Sequence, residues 1–185
     1  MPRPNVGDRA PDFTLPDANG RSVRLGELLS KKAVVLYFYP KDETPGCTAE
    51  SCAFRDAYDD FTAAGAEVVG VSRDDGASHG RFAAHHKLPF VLLADPQGGV
   101  HDLYGIRSRL GFLRDRVTFV IDRGGIVRHV FTSMIDMKGH VNKALPIVRE
   151  LVAGGLQVRL VGSCLRARFR NRLVVVCDFL FSERR

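Results

Sequence analysis

Hydrophobic residues along this chain form short continuous runs that alternate with stretches of helical spacing. The continuous runs predict strands at 34–39, 67–72, 90–94, 117–121 and 126–132, after an N-terminal hairpin of 13–15 with 23–25. The helical spacing predicts helices at 47–64, 78–88, 100–104 and 140–153, with a short turn at 25–29, a cap at Ser78 and a stop at Gly154–Gly155. Strands that alternate with helices favour a layered α/β domain with parallel crossovers, closed here by an antiparallel pair.

The composition is that of an ordinary globular protein. The chain has 185 residues, of which 45% are hydrophobic and 26% charged, enough for one α/β domain with a sizeable core. No run of about 18 apolar residues is found, so no membrane span is expected. Four scattered cysteines are too few for a disulfide scaffold, and the N-terminus lacks an apolar signal region. We therefore expect a cytoplasmic protein.

Charge divides the chain into two parts. Residues 155–185 carry seven Arg, no Lys and two acids, which leaves +5 of the formal net charge of +6. Residues 1–154 are nearly neutral, and nucleic-acid binding is not expected of them. The basic extension, 155–185, remains open to three interpretations: an added strand or helix, an Arg-rich contact for an anionic surface, or a non-native segment produced by a frame shift.

The segment 40–52 concentrates the reactive residue types. Cys47 follows the apolar strand 34–39 and lies near the first turn of the next helix. Unpaired backbone N–H groups and the positive end of the helix dipole favour a thiolate there, and the thiolate is the reactive form of cysteine. Thr44 precedes Cys47 by three residues, where its hydroxyl is within reach of the sulfur or of a substrate. The alternative for Cys47 is a buried, inert cysteine.

This segment resembles the active-site motif of the peroxiredoxins, Pro-x-x-x-Thr-x-x-Cys, filled here by Pro40, Thr44 and Cys47. The longer string around it resembles the Q-type branch, also called bacterioferritin comigratory protein, which often has a second cysteine at the position of Cys52. The resemblance extends over residues 5–153. It implies a thioredoxin-like fold, a single α/β domain with a central mixed sheet flanked by helices.

The resemblance also implies a reaction. Cys47 would be the peroxidatic nucleophile, oxidised to a sulfenic acid by hydrogen peroxide or an organic hydroperoxide, and Cys52 would be the resolving thiol. Thioredoxin or a similar dithiol donor would recycle the enzyme, with no metal, haem or flavin. Cα atoms five residues apart on a helix are about 8.6 Å apart, whereas a disulfide needs roughly 4.4–6.8 Å. Resolution by Cys52 therefore requires the helix start to unwind.

Further residues of the expected site have a role by resemblance and a plainer alternative. Arg116 is the expected active-site arginine or else a solvated edge charge, and Thr44 contacts the peroxide or caps the helix. Pro40 shields Cys47 from water or merely ends a strand. Glu50 holds an arginine of the pocket or is a favourable acid in a first helical turn. Cys52 resolves Cys47 or only packs.

The partners and the rival functions follow from these features. We expect a monomer with one domain at 1–154, acting on peroxide and a dithiol reductant. The alternatives are a thioredoxin-like redox sensor that relays oxidation from Cys47 to a partner, and an interaction protein that binds through its basic extension. A metal site among the six histidines is not expected, because the adjacent His85 and His86 should diverge on a helix.

Overall fold

A computed structural model describes residues 2–106, 108–109, 113–156, 165–169 and 172–176. The chain divides into two compact units, Met1–Val148 and Arg149–Arg185. Cys164 and Cys177, to which the sequence assigns no role, lie outside the described residues.

The chain alternates strands with helices, as the hydrophobic pattern predicts. The strands are β1 (Thr14–Pro16), β2 (Ser22–Arg24), β3 (Ala33–Phe38), β4 (Ala66–Ser72), β5 (Val91–Ala94), β6 (Ser108–Arg109), β7 (Leu113–Arg114), β8 (Val117–Ile121), β9 (Val127–Thr132), β10 (Leu165–Phe169) and β11 (Arg172–Val176). The helices are α1 (Leu25–Leu29), α2 (Pro45–Asp56), α3 (Tyr58–Ala63), α4 (Gly76–His86), α5 (Gly99–Leu103) and α6 (Met137–Leu156).

Five strands form a mixed sheet in the order β5-β4-β3-β8-β9. The neighbours β3, β4 and β5 are parallel, whereas β8 is antiparallel to both β3 and β9. Every residue of the central strand β3 is buried, which explains its continuous apolar run. With helices around it, this sheet confirms the predicted fold class.

One glycine is required inside the sheet. Gly70 of β4 pairs with Tyr37 of β3. A Cβ atom at Gly70 would lie 2.7 Å from Leu92 and 2.8 Å from the Tyr37 ring. The absence of a side chain lets Tyr37 lie flat over the sheet, stacked on Phe54 of α2 at a centroid distance of 4.6 Å.

The helix predicted at 47–64 differs from the structure at its start and its middle. It begins two residues earlier, because Pro45 suits the first helical position and Thr44 has the extended backbone of an N-cap. At Ala57 the backbone leaves helical geometry, which separates α2 from α3. Phe54 and Phe61, one on each helix, are both fully buried.

Two predicted helix ends are wrong. The cap of α4 is Asp75 rather than Ser78, because the Asp75 carboxylate accepts from the Ser78 backbone N–H at 2.8 Å. Helix α6 continues through Gly154–Gly155 to Leu156. Glycine inside a helix costs only about 1 kcal/mol and does not by itself end the helix.

In the second unit, β10 and β11 form an antiparallel pair from Leu165 opposite Val176 to Phe169 opposite Arg172. Which of the three interpretations of the extension applies stays a prediction. Among the residues that the structure describes, no helix is long and apolar enough to cross a membrane.

Candidate active site

Cys47 lies in the first turn of α2, two residues after Pro45 begins the helix. Its side chain is fully buried. The loop 40–44 joins the end of β3 to this helix, so the central strand of the sheet fixes where the helix begins. The predicted position of Cys47 at a strand-to-helix junction is confirmed.

Arg116 reaches Cys47 because of the antiparallel register of β8 on β3. Phe38, the last residue of β3, pairs with Val117, the first residue of β8. Arg116 precedes Val117, so it lies beside the loop 40–44 that leaves β3. Its Nη2 atom lies 3.5 Å from the Cys47 Sγ atom. Since Arg116 is only 3% exposed, it is not the solvated edge charge that the sequence left open.

Glu50 holds the other end of the guanidinium. Its Oε2 atom accepts a short hydrogen bond from Arg116 Nη1 and forms an ion pair with it. Glu50 is fully buried, and burial raises the pKa of its carboxyl group to about 7 even though the charge and the hydrogen bonds of Arg116 lower it. One guanidinium therefore contacts both the Glu50 carboxyl group and the Cys47 thiol, which lie one turn apart on α2.

His140 completes this cluster, although no spacing of residues in the sequence singles it out. Its Nδ1 atom lies 2.8 Å from Thr118 Oγ1 and 3.3 Å from Glu50 Oε1, the latter without hydrogen-bond geometry. Its Nε2 atom donates to the Ser133 carbonyl at 3.0 Å, which leaves Nδ1 as an acceptor in the neutral ring. Burial lowers the pKa of His140 to about 4. The imidazole is therefore neutral beside a buried carboxyl group.

Asp42 anchors the loop 40–44 through hydrogen bonds of its buried carboxylate. Its carboxylate accepts hydrogen bonds from Tyr39 Oη at 2.7 Å, Ser78 Oγ at 2.8 Å and His79 Nδ1 at 2.9 Å. Burial acts to raise the pKa of Asp42, but these partners outweigh it and lower the pKa below its ordinary value. The loop that positions Thr44 is thus tied to Tyr39, the residue after β3, and to α4.

Two further loop residues, Thr44 and Pro40, are expected at the site from the motif. Thr44 is the N-cap of α2, yet its side chain makes no capping hydrogen bond. Its hydroxyl donates instead to the Lys41 carbonyl at 3.0 Å. Pro40 is half-buried at the start of the loop.

Cys52 lies on the same helix as Cys47. Both are free thiols, Cys47 buried and Cys52 half-buried. Because α2 spans Pro45–Asp56, the helical spacing of about 8.6 Å between their Cα atoms applies. Arg55 is close to Cys52. The pKa of Arg55 is raised mainly by its hydrogen bond to Asp56 and further by Cys52.

The expectation that His85 and His86 diverge is wrong. Both are within hydrogen-bonding distance of Glu43, in the loop 40–44, with His85 Nδ1 at 3.1 Å and His86 Nε2 at 3.0 Å from its two oxygens. The cluster forms where the end of α4 meets this loop, a tertiary contact that helical spacing alone does not reveal.

The chain is similar to known proteins over most of its length. The AhpC/TSA family model matches residues 6–130. The chloroplastic peroxiredoxin Q of Arabidopsis thaliana is 47% identical over 146 residues, which cover 78% of this chain and 67% of that protein. The chloroplastic peroxiredoxin Q of Oryza sativa subsp. japonica is 45% identical over the same length and the same shares of both chains.

Solved structures of peroxiredoxins are also similar to this chain. Peroxidoxin BcpB of Mycobacterium tuberculosis is 41% identical with a TM-score of 0.76, covering 80% of this chain and 98% of that one. Peroxiredoxin Q of Xanthomonas campestris is 30% identical with a TM-score of 0.68, covering 75% of this chain and 90% of that one. The chain therefore belongs to the AhpC/TSA family, in its peroxiredoxin Q branch, and is a thiol-dependent peroxidase with a thioredoxin-like fold.

Proposed function

We propose that Cys47 is the peroxidatic nucleophile, reducing hydrogen peroxide and organic hydroperoxides. The observation that carries this proposal is the buried Cys47 thiol at the start of α2 with the Arg116 guanidinium 3.5 Å from its sulfur. The bacterioferritin comigratory protein of Xanthomonas campestris, a similar protein, has an alkyl peroxide reduction activity, which supports the organic part of the substrate range.

In the first step the Cys47 thiolate attacks one peroxide oxygen. An S–O bond forms, the O–O bond breaks, and the sulfur is oxidised to a sulfenic acid. The other oxygen leaves with a developing negative charge and takes a proton to become water or an alcohol. Arg116 donates to the sulfur and to this leaving oxygen, and its buried, preplaced donors lower the barrier without reorganising at the moment of reaction.

Three other residues position this chemistry. The Thr44 hydroxyl donates its hydrogen to the Lys41 carbonyl, so its oxygen can accept a hydrogen bond from the peroxide O–H. Glu50 fixes the plane of the Arg116 guanidinium. Pro40 starts the loop and covers the site from water.

We assign the resolving role to Cys52. Its thiolate attacks the sulfur of the Cys47 sulfenic acid: the S–S bond forms, the S–O bond breaks, and the oxygen leaves as hydroxide and takes a proton from solvent to become water. The intact helix α2 keeps the two residues too far apart, so its first turns must unwind before the bond forms. Thioredoxin or a similar dithiol donor then reduces the disulfide and is itself oxidised.

The location and assembly of the protein belong to the same proposal. We propose that the protein is a cytoplasmic monomer, with a peroxidase domain at 1–154 and a basic extension at 155–185. The plant relatives are named as chloroplastic proteins. Size-exclusion chromatography tests the monomer, and intact mass measurement of the natively expressed protein tests the extension.

A coupled assay with thioredoxin, thioredoxin reductase and NADPH tests the proposed cycle. Turnover that depends on both peroxide and thioredoxin is expected, and it should vanish in Cys47→Ser. A single oxidation event without turnover under every dithiol donor would favour the redox sensor instead.

A further inference from the structure

Three metal-ligating side chains meet beside the active-site helix, outside the peroxide chemistry. Glu43 lies in the loop 40–44, and His85 and His86 end α4. One ligand atom from each of the three lies within 4.8 Å of the other two. Both imidazole contacts to the Glu43 carboxylate are 3.0–3.1 Å long.

The backbone holds this cluster together. Glu43 has a positive φ of 57°, a left-handed conformation that residues other than glycine rarely adopt. The His85 and His86 rings lie side by side, 4.3 Å apart, rather than on opposite faces of the helix end. His86 also packs edge-on against Phe82 at 5.0 Å, and its carbonyl accepts from Arg55 at 2.9 Å. At least one imidazole is therefore fixed before any ligand arrives.

We propose that Glu43, His85 and His86 bind a divalent transition-metal ion of the zinc class. Imidazole nitrogen and carboxylate oxygen are ordinary ligands of such ions, at about 2.0–2.2 Å. A tetrahedral ion with these bond lengths holds its ligand atoms about 3.4 Å apart. The two His–Glu contacts are already near that distance. The two imidazole nitrogens lie within 4.8 Å of each other, and small movements of the half-exposed Glu43 and the more exposed His85 side chain can bring all three ligand atoms to the required spacing.

Coordination replaces the hydrogen bonds seen here. Each nitrogen that faces Glu43 presents its lone pair to the ion, and its proton moves to the other ring nitrogen or to solvent. Water fills the fourth position, because three protein ligands leave one open. Glu43 is next to Thr44, the N-cap of α2, so the ion ties the start of the active-site helix to α4. Metal bound only by the folded state must then stabilise it.

Zinc titration of the reduced, untagged, full-length protein tests the site. In isothermal titration calorimetry with zinc chloride, Glu43→Gln and the double change His85→Gln with His86→Gln should each weaken one site by about 10- to 100-fold or more. The matched controls are Glu27→Gln, an exposed acid of α1, and His129→Gln, a histidine of β9. Zinc should also raise the melting temperature of the wild type and the controls more than that of the Glu43 and histidine variants.

Cysteine thiolates are also zinc ligands in general, and all of these variants keep the four cysteines of the chain. Cobalt(II) separates the two kinds of site, since thiolate ligands add a near-ultraviolet charge-transfer band that nitrogen and oxygen ligands lack. Ligand-field bands that disappear in Glu43→Gln would support the site. The proposal is overturned if zinc does not bind, or if its affinity is the same in Glu43→Gln as in wild type. Glu43→Gln changes one exposed side chain, so it decides the matter even if the double histidine variant misfolds.

Discussion

The Nη2 atom of Arg116 lies 3.5 Å from the Sγ atom of Cys47, although the two residues are 69 positions apart in the chain. The contact exists because the start of β8 lies beside the end of β3. Both side chains are buried, so a negative charge that develops at the sulfur or on a bound peroxide is opposed by a fixed positive charge in a medium that screens little.

Replacing Arg116 by alanine should slow the reaction with peroxide by about 10- to 1,000-fold, the scale for losing a preplaced transition-state donor. Stopped-flow measurement of the second-order rate constant checks this. Arg24→Ala is the control, because it removes an exposed arginine that pairs only at the surface with Asp12. A rate constant for Arg116→Ala within a factor of about two of wild type would remove Arg116 from the mechanism.

Gly46 should be required for the contact between Arg116 and Cys47. A Cβ atom there would lie 3.1 Å from Arg116 Nη2 and 3.3 Å from Met137 Cε, so with alanine the guanidinium and the Met137 side chain must each shift by a few tenths of an ångström. Gly46→Ala should lower the peroxide rate constant about tenfold without lowering stability, because alanine is the better helix former by about 1 kcal/mol. Gly80→Ala in α4 is the matched control, since its Cβ meets only Ala18 at 3.9 Å. An unchanged rate in Gly46→Ala would show that the site tolerates displacement of Arg116.

Glu50 and His140 should give opposite pH dependences of stability. Glu50 has a pKa raised from 4.5 to about 7, so its contribution is full below pH 4.5 and is lost as pH rises through 7. His140 has a pKa lowered from 6.5 to about 4, so its contribution is present above pH 6.5 and is lost as pH falls through 4. Between about pH 4.5 and 6.5 the two therefore offset each other in the wild type.

Single variants should expose each dependence. In urea unfolding across pH 4 to 8, Glu50→Gln should lose free energy of unfolding toward low pH, relative to wild type, because only the His140 dependence remains. His140→Gln should lose it toward pH 7 for the converse reason. Parallel pH profiles in all three proteins would mean that burial does not perturb these groups as described.

Helix α2 should open when the enzyme is oxidised. In the reduced protein the amides of residues 48–53 should be protected from hydrogen exchange, and a Cys47–Cys52 disulfide should remove that protection, because the bond cannot form within the helix. Hydrogen exchange with mass spectrometry, with oxidised Cys52→Ser as the control that keeps its protection, checks this. Equal protection in both redox states, or a disulfide from Cys47 to Cys164 or Cys177, would contradict local unwinding.

The sequence predicted the sheet and the local placement of the motif because both depend on short-range patterns. The buried run of β3 and the Pro-Thr-Cys spacing lie within twenty consecutive residues, 33–52. His140 and Gly46 could not be identified in this way. Their importance comes from what packs against them, namely Glu50 and Thr118 for His140 and the Arg116 guanidinium for Gly46.

Helix ends and surface clusters are further features that short-range sequence patterns do not predict. Ser78 has the residue type of a cap, but Asp75 has both the type and the position. His85 and His86 meet only because Glu43 reaches them from another element. Long-range register decides these contacts, and no periodicity within α4 encodes them.

Trapping of the sulfenic acid tests most directly whether Cys47 is the residue that peroxide oxidises. Reduced Cys52→Ser is treated with one equivalent of peroxide and with dimedone, and each cysteine peptide is measured by mass spectrometry. We expect one adduct, on Cys47, none in Cys47→Ser, and an unchanged Cys47 adduct in Cys164→Ser and Cys177→Ser. An adduct on another cysteine, or peroxide consumption that survives in Cys47→Ser, would contradict the assignment of Cys47 as the nucleophile.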